Sequence, residues 1–302
     1  MSPRPPLDPR AVAVLACPVC AAPLAAVGGA SALRCPAGHL FDRARQGHVT
    51  LLPPGHRAPS GDSAAMVADR VGFLEAGHYA GLTGALADAV AAEGTTPSTL
   101  LDLGGGTGHH LAGVLDRLPD AVGVVLDSSP YAARRAARAH PRAVSVVADT
   151  WARLPVADAA ADRVLVVFAP RNGPEIARIL RPGGRLVVVT PAADHLAELI
   201  GPLGLLRVDP DKSARLAATL EPHLAPVGTV AHRADLLLDR AAVAALVGMG
   251  PHARHLAPGA LAAGLAALPE PVRVTLAVDI GTYRPGTTAP AGGSIGAPDP
   301  ST

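Results

Sequence analysis

The chain has 302 residues, enough for one large domain and a small one. A net charge of +1 excludes a polycation that holds nucleic acid by charge alone, and no apolar run reaches the ~20 residues of a membrane span. Aromatics make up 2% and one lysine, Lys212, stands against 25 arginines, which reads as the bias of a GC-rich genome more than as a functional signal.

Residues 1–10 are proline-rich and charged, expected to form a frayed arm and unlike a secretory leader, so the cytoplasm is the expected location. Cys17-Pro-Val-Cys20 and Cys35-Pro-Ala-Gly-His39 follow, and they contain all three cysteines. In a reducing compartment two close-spaced pairs predict a structural zinc site with Cys17, Cys20, Cys35 and His39 as four tetrahedral ligands. Phe41, Val49, Leu51 and Leu52 are expected to pack a small core dependent on the metal. His48 and His56 are expected to face solvent, and residues 53–62 to form an exposed linker. Residues 1–57 carry six arginines against Asp8 and Asp42, which favours an anionic partner or a solvated basic face.

A helical bridge spans 63–97, with one helix over 63–76 and a second from about Gly81 to Ala92. Between them Tyr79, conspicuous where aromatics are scarce, either contacts a cofactor or packs a hinge. Leu100, Leu101 and Leu103 then form a buried strand closing on Asp102, Gly104, Gly105, Gly106 and Gly108. The pattern Asp102-x-Gly104-x-Gly106-x-Gly108 matches the glycine loop of S-adenosylmethionine-dependent methyltransferases, where the backbone needs positive φ and close approach to a ligand. It differs from the G-x-G-x-x-G spacing of dinucleotide folds, although nucleotide binding or a plain structural turn remains open on spacing alone.

A helix from His109 to Leu118 and a strand Val122–Asp127 follow. Asp127 stands about twenty positions beyond the glycines, where this architecture hydrogen-bonds ribose; Asp149, after the strand Val144–Val147, is placed for the adenine amino group. Helix capping is the alternative for each. The helix Pro130–His140 carries Arg134, Arg135 and Arg138, a solvated face or an RNA contact. Strand 162–168 runs into Ala169-Pro170-Arg171-Asn172, which the carboxyl edge of a parallel sheet puts beside the methyl group and its target. A helix over 174–180, a turn at 181–184 and a strand over 185–190 come next, and His195 follows on the same edge. Strands at 227–238 and 272–283 enclose two helices, about 240–247 and 258–268, and a polar insert at 249–255; this predicts an antiparallel pair at the sheet edge. Residues 286–302 are expected to be disordered. The fold class is thus α/β, a Rossmann-like class I methyltransferase sheet over 98–285 with a zinc-binding module over 1–62.

Taken in order, the two knuckles, Phe41-Asp-Arg-Ala-Arg-Gln-Gly-His48, Gly61-Asp-Ser-Ala-Ala-Met66, Phe73-Leu-Glu-Ala-Gly-His-Tyr79, Asp102 to His110, Phe168-Ala-Pro-Arg-Asn172 and Thr190-Pro-Ala-Ala-Asp-His-Leu196 resemble the 23S ribosomal RNA guanine-N1 methyltransferases. The actinomycete branch, which includes tylosin-resistance enzymes, is most similar. The resemblance implies methylation of guanine 748, with 745 next, in the hairpin 35 loop of 23S rRNA. It also implies zinc on Cys17, Cys20, Cys35 and His39, and S-adenosylmethionine contacts at Tyr79, Gly108, His109 and His195. Arg171 and Asn172 are the candidates for holding the base, and no general base is named. The related proteins' tryptophan near Arg254 is missing, which puts stacking by that residue in doubt. Whether two copies form the RNA cleft stays open. A small-molecule methyltransferase and a non-catalytic zinc-containing RNA-binding protein are the rival readings.

Overall fold

Strand β5 (Thr99–Leu103) is buried at every position, as a strand covered on both faces must be. In the computed structural model, which describes residues 7–56, 61–92, 96–205, 218–250 and 259–286, β5 lies at the centre of an eight-stranded sheet. On one side it pairs in parallel with β6 (Val122–Asp127), then β7 (Ala143–Val147) and finally the two-residue β4 (Val49–Thr50). On the other side it pairs with β8 (Ala161–Val167), followed by β9 (Leu180–Pro191) in parallel. The long antiparallel strands β11 (Val272–Pro285) and β10 (Leu224–Leu238) close that edge, where the sequence predicts an antiparallel pair. The strand order reverses at β5, the switch point where such sheets open a ligand crevice at their carboxyl ends.

Period-two alternation sends side chains of each strand to opposite faces. Leu100, Val125, Leu165 and Val187 meet a helical layer that includes α2 (Ala64–Glu75), α3 (Ala80–Ala91), α4 (His109–Arg117), α7 (Ala197–Leu203) and α8 (Arg240–Gly248). Helix α9 (Ala260–Ala267) packs at its margin. Leu101, Leu103, Val124, Leu126 and Val166 face the other way, onto α6 (Gly173–Ile179) and the N-terminal segment. That segment contains α1 (Pro9–Val12) and an antiparallel sheet of β1 (Ala25–Val27), β2 (Ala32–Arg34) and β3 (Leu40–Asp42).

Several sequence-based expectations are corrected here. The N-terminal segment holds no private core: Leu15, Leu33, Val49 and Leu51 are buried against the large sheet, with Phe41 half-buried beside them. Nor is residue 62 a packing boundary, since β4 lengthens the main sheet. The arm before residue 10 is ordered from Leu7, because Asp8 accepts the Arg10 backbone N–H and caps α1; residues 1–6 lie outside the described residues. His48 is buried, its Nδ1 lacks a partner, and burial lowers its pKa, with the charge of Arg134 adding to the effect. His56 lies at the surface but its ring is engaged by Asp149.

Helix α5 (Pro130–Ala136) ends before His140, with Pro141 close behind. Residues 181–184, expected as a turn, fall within β9, where the register against β8 slips between Ala161 and Arg163 and Gly183 adopts a φ of +82°. The tail from 287 and residues 251–255 of the polar insert lie outside the described residues. Among those described, no helix is long and apolar enough to cross a membrane.

Candidate metal centre and active site

Each metal knuckle is a backbone turn. Cys17 accepts the Ala21 N–H at 2.8 Å, and Cys35 accepts that of Gly38 at 3.0 Å, where φ is +89° and glycine relieves the strain. The turns bring the ligand atoms of Cys17, Cys20, Cys35 and His39 within 4.8 Å of one another. A tetrahedral zinc with bonds of about 2.3 Å to sulfur and 2.0–2.1 Å to nitrogen needs S···S edges near ~3.8 Å and S···N edges near ~3.5 Å. Cys20 Sγ and Cys35 Sγ are 3.7 Å apart; His39 Nδ1 is 3.5 Å from Cys17 Sγ and 3.3 Å from Cys35 Sγ. The four groups therefore fit zinc, and a complete protein set suits a structural ion. Burial pushes the Cys35 thiol up, but the backbone and ring of His39 and the neighbouring sulfurs bring it to about 7, toward the thiolate that binds metal.

At the switch point the glycine loop turns on Gly104, Gly106 and Gly108, with φ of +67°, +56° and +76°. Gly106 donates its N–H to Asp127 Oδ2 at 2.8 Å, and Ser129 donates to Asp127 Oδ1 at 2.8 Å. Burial raises the Asp127 pKa while these donors oppose the rise, so the acid both shapes the loop and ends β6 at the crevice. Beneath it Asp102 is buried, and its Oδ1 has no partner. A Cβ on Gly105 would sit 2.4 Å from Asp102 Oδ2. Close backbone, left-handed glycines and carboxylates at two strand ends fit the ribose, adenine and sulfonium charge of S-adenosylmethionine.

The buried Asp102 makes stability depend on pH. Burial, helped by the charge of Asp127, raises its pKa to about 7, well above the ordinary carboxylate range. An acid whose folded pKa exceeds its unfolded one loses stability as pH rises between the two, because the folded state holds the proton longer. The loss from pH 4 to 7 is on the order of 4 kcal/mol at 1.36 kcal/mol per unit. Thermal melting of Asp102→Asn is expected to lack this decline, so the variant gains on the wild type toward pH 8; parallel melting curves across the range would refute it.

Asp149, at the end of β7, accepts from Trp151 N–H at 2.9 Å and lies 2.8 Å from His56 Nε2, so the N-terminal segment reaches the crevice. Tyr79 is buried, edge-on to Phe73 at 5.0 Å between centroids, and burial raises its pKa. Its ring is 6.4 Å from Phe168, which stands 5.8 Å from His195. Phe168 is 41% exposed with a φ of +52°, a strained conformation for an aromatic residue at the carboxyl end of β8. His195 Nδ1 accepts the Ala277 N–H at 3.3 Å. His109 is half-buried at the start of α4, with its pKa lowered by burial.

Arg171 is half-buried with its Nε unpartnered, and burial disfavours its charge. Asn172 is differently placed: its amide nitrogen donates to the carbonyls of Trp151 at 3.0 Å and Ala152 at 3.2 Å, tying down the loop after β7. The structure thus gathers Tyr79, His195 and Phe168 in one cluster and Asp102, Asp127 and the glycines in another.

Sequence reading missed Arg70. It forms an ion pair with Asp62, donates to the Met249 carbonyl at 2.9 Å, and has Nη1 3.0 Å from where a Gly106 Cβ would stand. Ser63 caps α2 by accepting the Met66 N–H, which puts Arg70 two turns along, but what it meets there depends on how α2 packs.

Comparison with known proteins agrees with this geometry. Residues 15–58 match the zinc-ribbon family described as RlmA, N-terminal, and residues 100–184 match the family described as Methyltransferase domain. A Micromonospora griseorubida protein assigned to the 23S rRNA (guanine-N(1)-)-methyltransferases is 53% identical over 92% of this chain and 100% of its own. The 23S rRNA (guanine(748)-N(1))-methyltransferase of Streptomyces fradiae is 52% identical over 91% of this chain and 98% of its own. YxjB of Bacillus subtilis, assigned to the same class, is 32% identical over 61% and 66%. The chain belongs to the 23S rRNA (guanine-N1)-methyltransferases, in their actinomycete branch, as an S-adenosylmethionine-dependent Rossmann-like enzyme with an N-terminal zinc ribbon.

Proposed function

We propose that the protein methylates N1 of guanine 748 in the hairpin 35 loop of 23S rRNA, and that this modification confers resistance to tylosin-type macrolides. The supporting observation is the 52% identity to the Streptomyces fradiae enzyme whose name specifies that guanine.

N1 of guanine carries a proton at neutral pH, so its lone pair becomes available as that proton leaves. S-adenosylmethionine supplies the methyl group on a sulfonium that departs as a neutral thioether. The chain contributes position and electrostatics. Asp127 and Asp149 receive the ribose and adenine ends, the glycines from Gly104 to Gly108 admit the ligand, and Tyr79, His109 and His195 border its methionine end. Exposed Phe168 offers a face against which a base splayed from its loop stacks. Arg171, whose Nε has no partner, meets the negative charge that develops on O6, while Asn172 holds the Trp151 loop and so fixes one wall.

The test is incubation with labelled S-adenosylmethionine and 23S rRNA from a strain lacking the modification. Label in RNA and a primer-extension stop at 748 are expected, together with a raised tylosin tolerance in a sensitive host expressing the gene. A stop at 745 would replace the nucleotide, and no label in RNA would sink the reading.

A further inference from the structure

Between α2, α4 and α5 runs a groove of about 460 Å³ that extends outward from the cofactor loop. Arg134, Arg135 and Arg138 line one wall, Gln46 of the N-terminal segment closes it, and Thr107 and His109 bring its floor to the end of the glycine loop.

Arg10, Arg117, Arg153, Arg233, Arg240 and Arg273 each pair with a carboxylate. Among the described residues Arg134, Arg135 and Arg138 pair with none, although all three are exposed. The surrounding sequence explains it: residues 128–148 contain four arginines and no Asp or Glu. Arg34, Arg45 and Arg284 are also exposed without a carboxylate partner among the described residues, but Arg134, Arg135 and Arg138 are gathered along one groove. Glu75 is the one carboxylate lining the groove, and it forms no ion pair with them. Three guanidinium groups held together without counter-charges repel one another, and only an anionic partner turns that cost into binding.

The same helix presents Tyr131, 45% exposed, with the Arg134 guanidinium 5.4 Å from its ring centroid. An aromatic face beside a row of arginines suits a nucleic-acid strand, in which bases and phosphates alternate. On the inner side Ala132, Ala133 and Ala136 are buried, so α5 is anchored by small side chains and its outer face serves no packing role.

We propose that the outer face of α5, with its groove, is a phosphodiester track: the RNA backbone beside the target loop lies along Arg134, Arg135 and Arg138, and the groove leads it from the zinc-bearing segment to the cofactor loop. The proposal rests on RNA being the substrate, and it assigns strand binding to the arginines at the end of a helix on the methyltransferase sheet.

The test uses the full-length, zinc-loaded protein and a hairpin 35 transcript, with Arg135→Gln/Arg138→Gln and the triple variant that adds Arg134→Gln. With about 0.7 counterions released per phosphate contact on a single strand, the slope of log(kcat/KM) against log salt is expected to shrink by about 1.4 in the double variant and ~2 in the triple. KM for RNA is expected to rise at least ~10-fold near physiological salt, with kcat at saturating RNA within about twofold. Unchanged S-adenosylmethionine affinity and melting temperature show that the variants fold; if the triple variant fails this control, the double carries the test. Arg273→Gln, on the antiparallel edge, is expected to keep the wild-type slope. Wild-type KM and slope in the folded variants, with the wild type methylating normally, would overturn the track. If the wild type transferred no methyl to RNA, the functional reading would fall instead, and filter binding of the same transcript would judge the track: a shallower salt slope in the variants sustains it and an equal one rejects it.

Discussion

Cys35→Ser is expected to empty the metal site and to release β1, β2 and β3 while the central strands stay protected from hydrogen exchange. Zinc contributes about 10–16 kcal/mol in isolated zinc-finger peptides, as much as the roughly 5–15 kcal/mol net stability of a whole domain. Strands of three residues each cannot hold without it. The effect extends beyond the ribbon, because Leu15, Leu33 and Leu51 cover the sheet face made by Leu101, Leu103, Val124 and Leu126. Uncovering three leucines costs roughly 5–9 kcal/mol at about 1.5–3 each. At ~2–4 °C per kcal/mol this predicts a melting temperature at least about 10 °C lower. Metal analysis and a thermal scan check it. One zinc retained per chain with a melting temperature within about 2 °C of wild type would show that the site is not structural.

Gly104→Ala is expected to cost cofactor binding on the order of 100-fold by calorimetry. Two effects add. A φ of +67° disfavours any Cβ by about 1–2 kcal/mol, and the new atom would stand 2.6 Å from Ala169 Cβ, an overlap worth about 1–3 kcal/mol more. Ala169 cannot rotate away, since its Cβ is fixed to the backbone beside Phe168. Relief therefore moves the glycine loop off the end of β8, across the crevice itself. Gly183→Ala separates the two effects: its φ is +82° but nothing lies within 4 Å of the added atom. It is expected to lose stability and keep cofactor affinity. Equal affinity in Gly104→Ala and wild type would mean that the loop does not carry the cofactor.

Locally coded features were legible in the chain. Cys17, Cys20, Cys35 and His39 lie on turns only a few residues long, so proline and glycine at set spacing determine their geometry. Strands β5 and β6 are apolar nearly throughout and end at glycine or acid, which marked both the parallel sheet and its ligand edge. The errors fell where a side chain's surroundings come from distant segments. His48 was expected to face solvent because the metal site is complete without it, yet the fold buries it and brings the charge of Arg134 to bear on it. Asn172 looked available to a substrate until the loop carbonyls of residues 150–152 folded over its amide. Arg70 gave no sign of function, since its place over Gly106 depends on how α2 packs.

The residues by themselves determined which chemistries are present: four metal ligands at knuckle spacing, a glycine loop for a methyl donor, and the run of segments that marks the family. Those are properties of short stretches, and backbone sterics or ligand spacing suffices to read them. The tertiary structure alone decided that the zinc-bearing segment forms one face of the catalytic sheet and that its His56 touches Asp149. It also left Arg134 and Arg135 of α5, and Arg138 just beyond it, without counter-charges beside the cofactor loop. Such facts depend on which surfaces are buried together, and burial is a property of the whole chain, set by covering both faces of a sheet whose strands are apolar on each.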